Sequence, residues 1–147
     1  MRHRVASKQL QRDTKHRESL IKNLVRALFE HGAITTTRIK AKVAQPVAEH
    51  MITTARGGSL SARRVLHTYF GKRDVVNTLV DRIAPAITTR TSGYTRITEV
   101  GTRAGDNATL VTLSLVDMPE KVGEFDGVHS RKESATEPAP KKVKTKK

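Results

Sequence analysis

The chain contains one stretch whose residue types suit phosphate binding, Arg90–Asn107, with the sequence RTSGYTRITEVGTRAGDN. The guanidinium groups in this stretch can form paired hydrogen bonds with phosphate oxygens. Residues Tyr94–Val100 are of types that favour a β-strand, and Gly105-Asp106-Asn107 is a turn signal before the next apolar run. The spacing predicts a cationic β-hairpin, although an ordinary solvent-facing hairpin with incidental charge would have the same residues.

The arrangement of acidic residues and histidines gives little support to catalysis. An RNA-processing enzyme that uses Glu99 or Asp106 is the weakest hypothesis, because the sequence shows no nucleophile with a base, no paired carboxylates and no phosphate-cradling glycine motif. Asp106 fits better as a turn residue whose carboxylate accepts a hydrogen bond from its own backbone. The chain has six scattered histidines and no cysteine, so the sequence predicts no catalytic residue, no metal site and no cofactor.

Basic residues outnumber acidic ones by 28 to 14, and the excess is concentrated at the two ends of the chain. Residues 1–42 carry eleven basic and three acidic residues, residues 43–120 carry nine and seven, and residues 121–147 carry eight and four. This distribution favours a folded body whose cationic segments bind a polyanion, since each phosphate contact releases condensed counterions. The few aromatic residues, three Phe and two Tyr, favour recognition of phosphate and shape over base stacking.

A membrane surface is the rival polyanion, and the sequence offers little to bind one. We find no run of about eighteen apolar residues, no basic amphipathic helix with bulky aromatic anchors, and no signal-peptide core after Met1–Arg4. We therefore expect a cytoplasmic protein that binds nucleic acid, and we expect neither a membrane nor a small-molecule substrate as a partner.

The periodicity of apolar residues predicts a single two-layer α+β domain at residues 14–120, in which helices pack on a short three-stranded sheet. An extended basic arm, residues 1–13, precedes the domain, and a basic tail of low apolar content, residues 121–147, is predicted to be disordered. The predicted elements are a helix from Thr14 to just before Gly32, a strand at Ala33–Thr37, helices at about 38–55, 60–70 and 74–83, and strands at 94–100 and 111–115.

Residues with capping propensity mark the predicted ends of the helices. The predicted N-caps are Asp13 or Thr14, Thr37, Ser59 and Asp74, and Gly32 and Gly71 should end helices in the left-handed conformation. Pro46 should kink or split the second long helix because it removes one backbone hydrogen bond. Arg38, Lys40 and Lys42 crowd the first turn of that helix, where the helix dipole disfavours cations. We expect an external anion there, and the alternative is a solvated basic face.

A set of short motifs occurs in a fixed order along about residues 1–118. The motifs are MRHR at the start, Leu10 with Arg12, His16-Arg17, ITTT leading into Lys40-Ala41-Lys42, Ile52-Thr53, Arg63-Arg64, Gly93–Ile97 and Arg103–Ala108. This ordered set, and most specifically GYTRI followed by RAGDNA, resembles bacterial large-subunit ribosomal protein L17.

The resemblance implies a structural component of the bacterial large (50S) ribosomal subunit without catalytic activity. Such a protein would bind 23S ribosomal RNA near the outer opening of the peptide exit tunnel, with other ribosomal proteins as neighbours. The basic pattern and the matching motifs together predict RNA-binding side chains at Arg2, His3, Arg4, Lys8, Arg12, His16, Arg17, Arg38, Lys40, Lys42, Arg63, Arg64, Tyr94, Arg96 and Arg103. The alternative is a nucleoid-associated protein or general RNA chaperone, which the lysine-rich tail would suit.

Overall fold

A computed structural model describes residues 8–87 and 90–117 of the chain. The order of elements confirms the predicted α+β class, with helices packed on a small antiparallel sheet. The elements are α1 (Thr14–His31), β1 (Ala33–Thr37), α2 (Arg38–Arg56), α3 (Leu60–Phe70), α4 (Arg73–Asn77), a π-helical segment (Thr78–Ile83), α5 (Ala84–Ala86), β2 (Thr95–Thr102) and β3 (Thr109–Leu115).

The sheet has the order β1-β3-β2, so β3, the last strand of the described residues, is the central one, and both of its neighbours run antiparallel to it. Its alternating pattern buries Val111, Leu113 and Leu115 against the helices, as predicted from the period of two. The opposite face carries small hydroxyl side chains and Arg96, which pairs with Ser114 in the register. One face of the sheet therefore builds the core, and the other face is polar.

Several predicted helix ends are confirmed by the backbone. Gly32 ends α1 with a φ of 75°, and its N–H donates to the carbonyl of Leu28 at 2.7 Å. The hydroxyl of Ser59 accepts a hydrogen bond from the N–H of Ala62 at the start of α3. Asp13 and Thr37 occupy the N-cap positions of α1 and α2 without side-chain capping bonds.

Two expectations about the helices are corrected, namely that α2 could be split at Pro46 and that Asp74 is an N-cap. Pro46 does not split α2, which continues through it for 19 residues; Pro46 is exposed, so water can solvate the carbonyl that loses its partner. Asp74 is not the N-cap of α4, because the helix begins one residue earlier and Lys72 takes that position. Asp74 lies in the first turn instead, where its carboxylate still interacts favourably with the positive end of the helix dipole.

A single cluster of buried apolar side chains joins the helices to the sheet. The sheet packs against α1 and α2, whereas α3 packs against α2 and α4. Phe29 of α1 meets Phe70 of α3 edge to face, with ring centroids 5.8 Å apart. The first two helices therefore lie between the sheet and the later helices.

Some predictions fall on residues that the structure does not describe. Most of the predicted arm, including Arg2, His3 and Arg4, and the tail at residues 121–147 lie outside the described residues. The described end of the arm contains a turn in which the N–H of Arg12 donates to the carbonyl of Gln9 at 3.2 Å. Within residues 8–87 and 90–117, no helix is long and apolar enough to cross a bilayer.

We predict that the central strand dominates the stability of the domain. Leu113→Ala should lower the free energy of unfolding by about 2–5 kcal/mol, because it leaves a cavity in a fully buried site. The control Val100→Ala, at a side chain that is 61% exposed, should cost less than about 0.5 kcal/mol. Chemical denaturation measures both changes, and equal losses for the two variants would contradict this account of the core.

Candidate nucleic-acid interface

The predicted hairpin is present, and its first strand is attached to α2 by polar contacts. The hydroxyl of Thr95, in the first position of β2, donates to Glu49 Oε1 at 3.0 Å and accepts from Gln45 Nε2 at 3.2 Å. Thr95 is buried, so these bonds offset the loss of hydration of its hydroxyl. The start of β2 therefore has a fixed position on the helix.

Arg56, the last residue of α2, binds the segment that leads into β2. Its Nη1 donates to the carbonyl of Arg90 at 2.8 Å and to the hydroxyl of Tyr94 at 3.0 Å. The Tyr94 hydroxyl in turn donates to the carbonyl of Thr91 at 2.6 Å, and the Arg56 guanidinium lies 5.9 Å from the centre of the Tyr94 ring. The segment between Arg90 and Tyr94 is thus held against the C-terminal end of α2.

The other end of α2 meets the same strand further along. Arg38 Nη1 lies 3.1 Å from Glu99 Oε1, and both side chains are more than half exposed. An exposed ion pair of this kind contributes little to stability. Arg38, Gln45, Glu49 and Arg56 are spaced by seven, four and seven residues, which places them on one face of α2. We call this set of contacts the α2–β2 seam: Arg38 with Glu99, Gln45 and Glu49 with Thr95, and Arg56 with Tyr94.

The turn of the hairpin carries a paired arginine and carboxylate. Arg103 donates from Nε to Asp106 Oδ1 at 3.0 Å and from Nη2 to Oδ2 at 2.6 Å. The N–H of Ala108 also donates to Asp106 at 3.3 Å, as expected of a turn-forming aspartate. These donors, Arg103 first, lower the pKa of Asp106 to about 2, and the same contact raises the pKa of Arg103.

The two other predicted residues of the hairpin lie in contrasting places. Arg96 is exposed on the polar face of the sheet, and no carboxylate of a described residue lies within ion-pairing distance of it. Tyr94 is only 1% exposed, and its hydroxyl bonds within the protein. Its ring therefore belongs to the core, and contact of the ring with RNA would require it to leave that core. Tyr94 was expected among the RNA-binding residues because it belongs with Arg96 to the GYTRI motif.

The remaining predicted residues are distributed over the helical part of the domain. Arg12, which lies just before α1, contacts the ring of His16 in the first turn of that helix. Arg63 pairs with Asp81 of the π-helical segment, with Nη2 and Oδ1 2.5 Å apart. That contact raises the pKa of Arg63 and lowers the pKa of Asp81. The other members are exposed or partly exposed at the surface, namely Lys8, Arg17, Lys40, Lys42 and Arg64.

Sequence reasoning missed the residues that position the hairpin. Gln45, Glu49 and Arg56 were not singled out, although their spacing marks a polar stripe on a helix that also carries an apolar stripe. Arg90 also has a structural role, since its Nε donates to Asp117 Oδ2 at 3.1 Å, just beyond the end of β3. The sequence did contain a sign of this role, because Gln45, Glu49 and Arg56 recur at helical spacing on the face of α2 that also carries Ile52.

Comparisons with known proteins point to one family. The family described as Ribosomal protein L17 matches residues 20–116. The chain is similar to the large ribosomal subunit protein bL17 of Desulfotalea psychrophila, with 43% identity over 83% of this chain and 95% of the relative. It is also similar to the proteins of the same name from Gemmatimonas aurantiaca, with 44% identity over 79% of this chain and 98% of the relative, and from Finegoldia magna, with 47% identity over 78% and 87%.

We predict that the hydroxyl of Tyr94 in the α2–β2 seam stabilises the folded protein. Tyr94→Phe should lower the free energy of unfolding by about 1 kcal/mol, because it removes the donor to Thr91 and the acceptor for Arg56 while keeping the ring. The matched control is Tyr69→Phe, at a half-buried tyrosine outside the seam, where a smaller change is expected. Thermal and chemical denaturation measure both variants, and a Tyr94→Phe variant as stable as the parent would contradict the role of this hydroxyl.

The hairpin turn makes a prediction about proton binding. Asp106 should titrate near pH 2 in the folded protein and near its usual pKa of about 3.9 when unfolded. The ion pair therefore stabilises the folded state fully above about pH 4 and loses that contribution as the pH falls through about 2.

The carboxyl carbon resonance of Asp106, followed by NMR against pH, measures this midpoint. Arg103→Gln should raise the midpoint towards the usual value, whereas the control Arg96→Gln should leave it unchanged. A midpoint that does not move in Arg103→Gln would show that the arginine does not hold the carboxylate in solution.

Proposed function

Because this chain belongs to the ribosomal protein L17 family, we propose that it binds 23S ribosomal RNA through its cationic hairpin and its basic helical surface. Family membership makes the chain a structural component of the bacterial large ribosomal subunit and not an enzyme. A position near the outer opening of the peptide exit tunnel is part of the proposal, and it is supported only by the resemblance of the sequence motifs.

The observation that carries the RNA-binding proposal is the hairpin held on α2 with exposed arginines. Arg96 and Arg103 both belong to the hairpin, one on the polar sheet face and one at the turn. The α2–β2 seam restricts the freedom of this hairpin before RNA arrives. Because less conformational entropy is lost on binding, a fixed arrangement of guanidinium groups supports stronger binding than the same groups on a mobile loop.

The carboxylates beside these arginines support a role in orientation. Asp106 holds the Arg103 guanidinium through two hydrogen bonds, which leaves its remaining N–H groups in a defined direction. The same contact reduces the net positive charge at Arg103. A phosphate must therefore either displace the Asp106 carboxylate or bind the guanidinium N–H groups that the carboxylate leaves free. We expect Arg96 to supply the stronger electrostatic attraction, since no described carboxylate neutralises it.

Removing both hairpin arginines should weaken binding to 23S ribosomal RNA. The Arg96→Ala/Arg103→Ala variant should bind more weakly at moderate salt, and the slope of log K against log salt should fall by roughly 0.7–0.9 for each phosphate that the variant no longer neutralises. The measurement is a series of equilibrium titrations of the RNA with the full chain at several salt concentrations.

The matched control for this experiment keeps the charges. Arg96→Lys/Arg103→Lys should retain most of the salt slope while binding somewhat more weakly, because lysine cannot reproduce the forked geometry of arginine. An unchanged salt slope in the alanine variant, with folding intact, would show that these side chains do not contact phosphate.

A cellular measurement tests the assignment to the subunit more broadly. The chain should remain at one copy per large subunit after a moderate salt wash of purified ribosomes. Recovery mainly in the ribosome-free fraction, with sequence-independent DNA binding, would favour the nucleoid-associated or RNA-chaperone alternative.

A further inference from the structure

A second basic site lies between α3 and α4. The cleft there is shallow, with a volume of about 350 Å³, and is widely open to solvent. Gly71 ends α3 in the left-handed conformation, with a φ of 69°, so the chain reverses and α4 begins two residues later beside the helix it has just left. The residues that line the cleft are Arg63, Arg64, His67, Thr68, Arg73, Val76 and Asn77.

Helical spacing explains why these polar side chains face one another. Arg63 and Arg64 lie four and three residues before His67 on α3, and Arg73 and Asn77 are one turn apart on α4. Arginine, histidine and asparagine side chains can all donate hydrogen bonds. Val76 also lines the cleft and is buried, so it contributes an apolar side chain among these polar groups.

The charges in the cleft are only partly compensated. Asp81 binds Arg63 through both guanidinium branches, at 2.5 and 3.3 Å, and neutralises that arginine. Arg64 and Arg73 are exposed on the opposite walls, and within residues 8–87 and 90–117 neither has a carboxylate within 4.0 Å. Two like charges that line one cleft repel each other, and an anion bound between them would attract both, so that the summed electrostatic energy becomes favourable.

We propose that the α3–α4 cleft binds a backbone phosphate of 23S ribosomal RNA, as a contact separate from the hairpin. The proposal rests on the RNA-binding function proposed above. The hydrogen-bond donors that line the cleft suit phosphate oxygens. No Phe, Tyr or Trp lines the cleft, so it offers no large aromatic ring on which a base would stack. Of its lining residues, His67, Arg73 and Asn77 extend the binding surface beyond the residues that the sequence motifs indicated.

The cleft lies in a different part of the domain from the hairpin. The sheet packs against α1 and α2, and α3 packs on these same helices without belonging to the sheet layer. The hairpin and the cleft are therefore carried by different layers of the domain. A chain that uses both would contact RNA at two places on its surface.

Paired variants of the full chain test the cleft. Arg64→Gln/Arg73→Gln removes the two uncompensated charges, and Lys72→Gln/Arg82→Gln removes two charges from exposed neighbours that do not line the cleft. We expect the cleft variant to bind 23S ribosomal RNA several-fold more weakly, with a salt slope reduced by roughly 0.7–0.9 per phosphate contact. The neighbouring control should change the slope less.

Two further measurements separate this proposal from the proposed function and from loss of folding. Arg64→Lys/Arg73→Lys should recover the salt slope, and thermal melting shows whether each variant folds. Nuclease footprinting on the RNA should show that the cleft and hairpin variants lose protection at different nucleotides. A cleft variant that matches the Lys72→Gln/Arg82→Gln control, while the hairpin variant still weakens binding, would overturn the cleft proposal alone; no effect of any variant would overturn the RNA-binding function as well.

Discussion

The position of the cationic hairpin depends on the contact between one face of α2 and the strand β2. Tyr94 and Thr95 are buried polar residues at the start of that strand, and each must find hydrogen-bond partners inside the protein. Arg56, Glu49 and Gln45 provide them from a single helix face. Because a shift of the strand by one residue would turn its side chains to the other face of the sheet, these contacts also help to fix the register of the hairpin.

The basic charge of the protein is divided between arginines with different surroundings. Arg38, Arg63 and Arg103 each meet a carboxylate of the same chain, whereas Arg64 and Arg96 meet none among the residues that the structure describes. Paired arginines have a preferred direction but a weaker net field, and unpaired ones attract a polyanion more strongly. This division favours binding in which the unpaired groups supply electrostatic attraction and the paired groups supply orientation.

Local patterns were sufficient to predict most of the fold. Gly32, the β-branched run Ala33–Thr37 and the alternation around Leu113 each have one dominant conformational reading, and all three appear as predicted. Pro46 and Asp74 were misjudged because solvent exposure and a one-residue shift of a helix start depend on the whole structure. The burial of Tyr94 has the same origin, since only tertiary packing shows that its hydroxyl reaches Arg56.

The candidate site was also predictable only in part, because some of its contacts depend on tertiary structure. The hairpin arginines lie within one continuous motif, so sequence could identify them, although it could not show that Arg103 is bound by Asp106. The α3–α4 cleft joins residues from two helices, and sequence indicated only the Arg63-Arg64 half of it. The relation between Arg64 and Arg73 follows from the chain reversal at Gly71, which a linear pattern does not specify.

The central claim is that the hairpin of this chain contacts ribosomal RNA within the large subunit. Arginine-specific chemical modification, read by mass spectrometry on the free chain and on intact large subunits, tests it directly. The account predicts that Arg96 and Arg103 react in the free chain and become protected in the subunit, and that treating the subunit with ribonuclease restores their reactivity. Equal reactivity of both arginines in the free chain and in the subunit would contradict it.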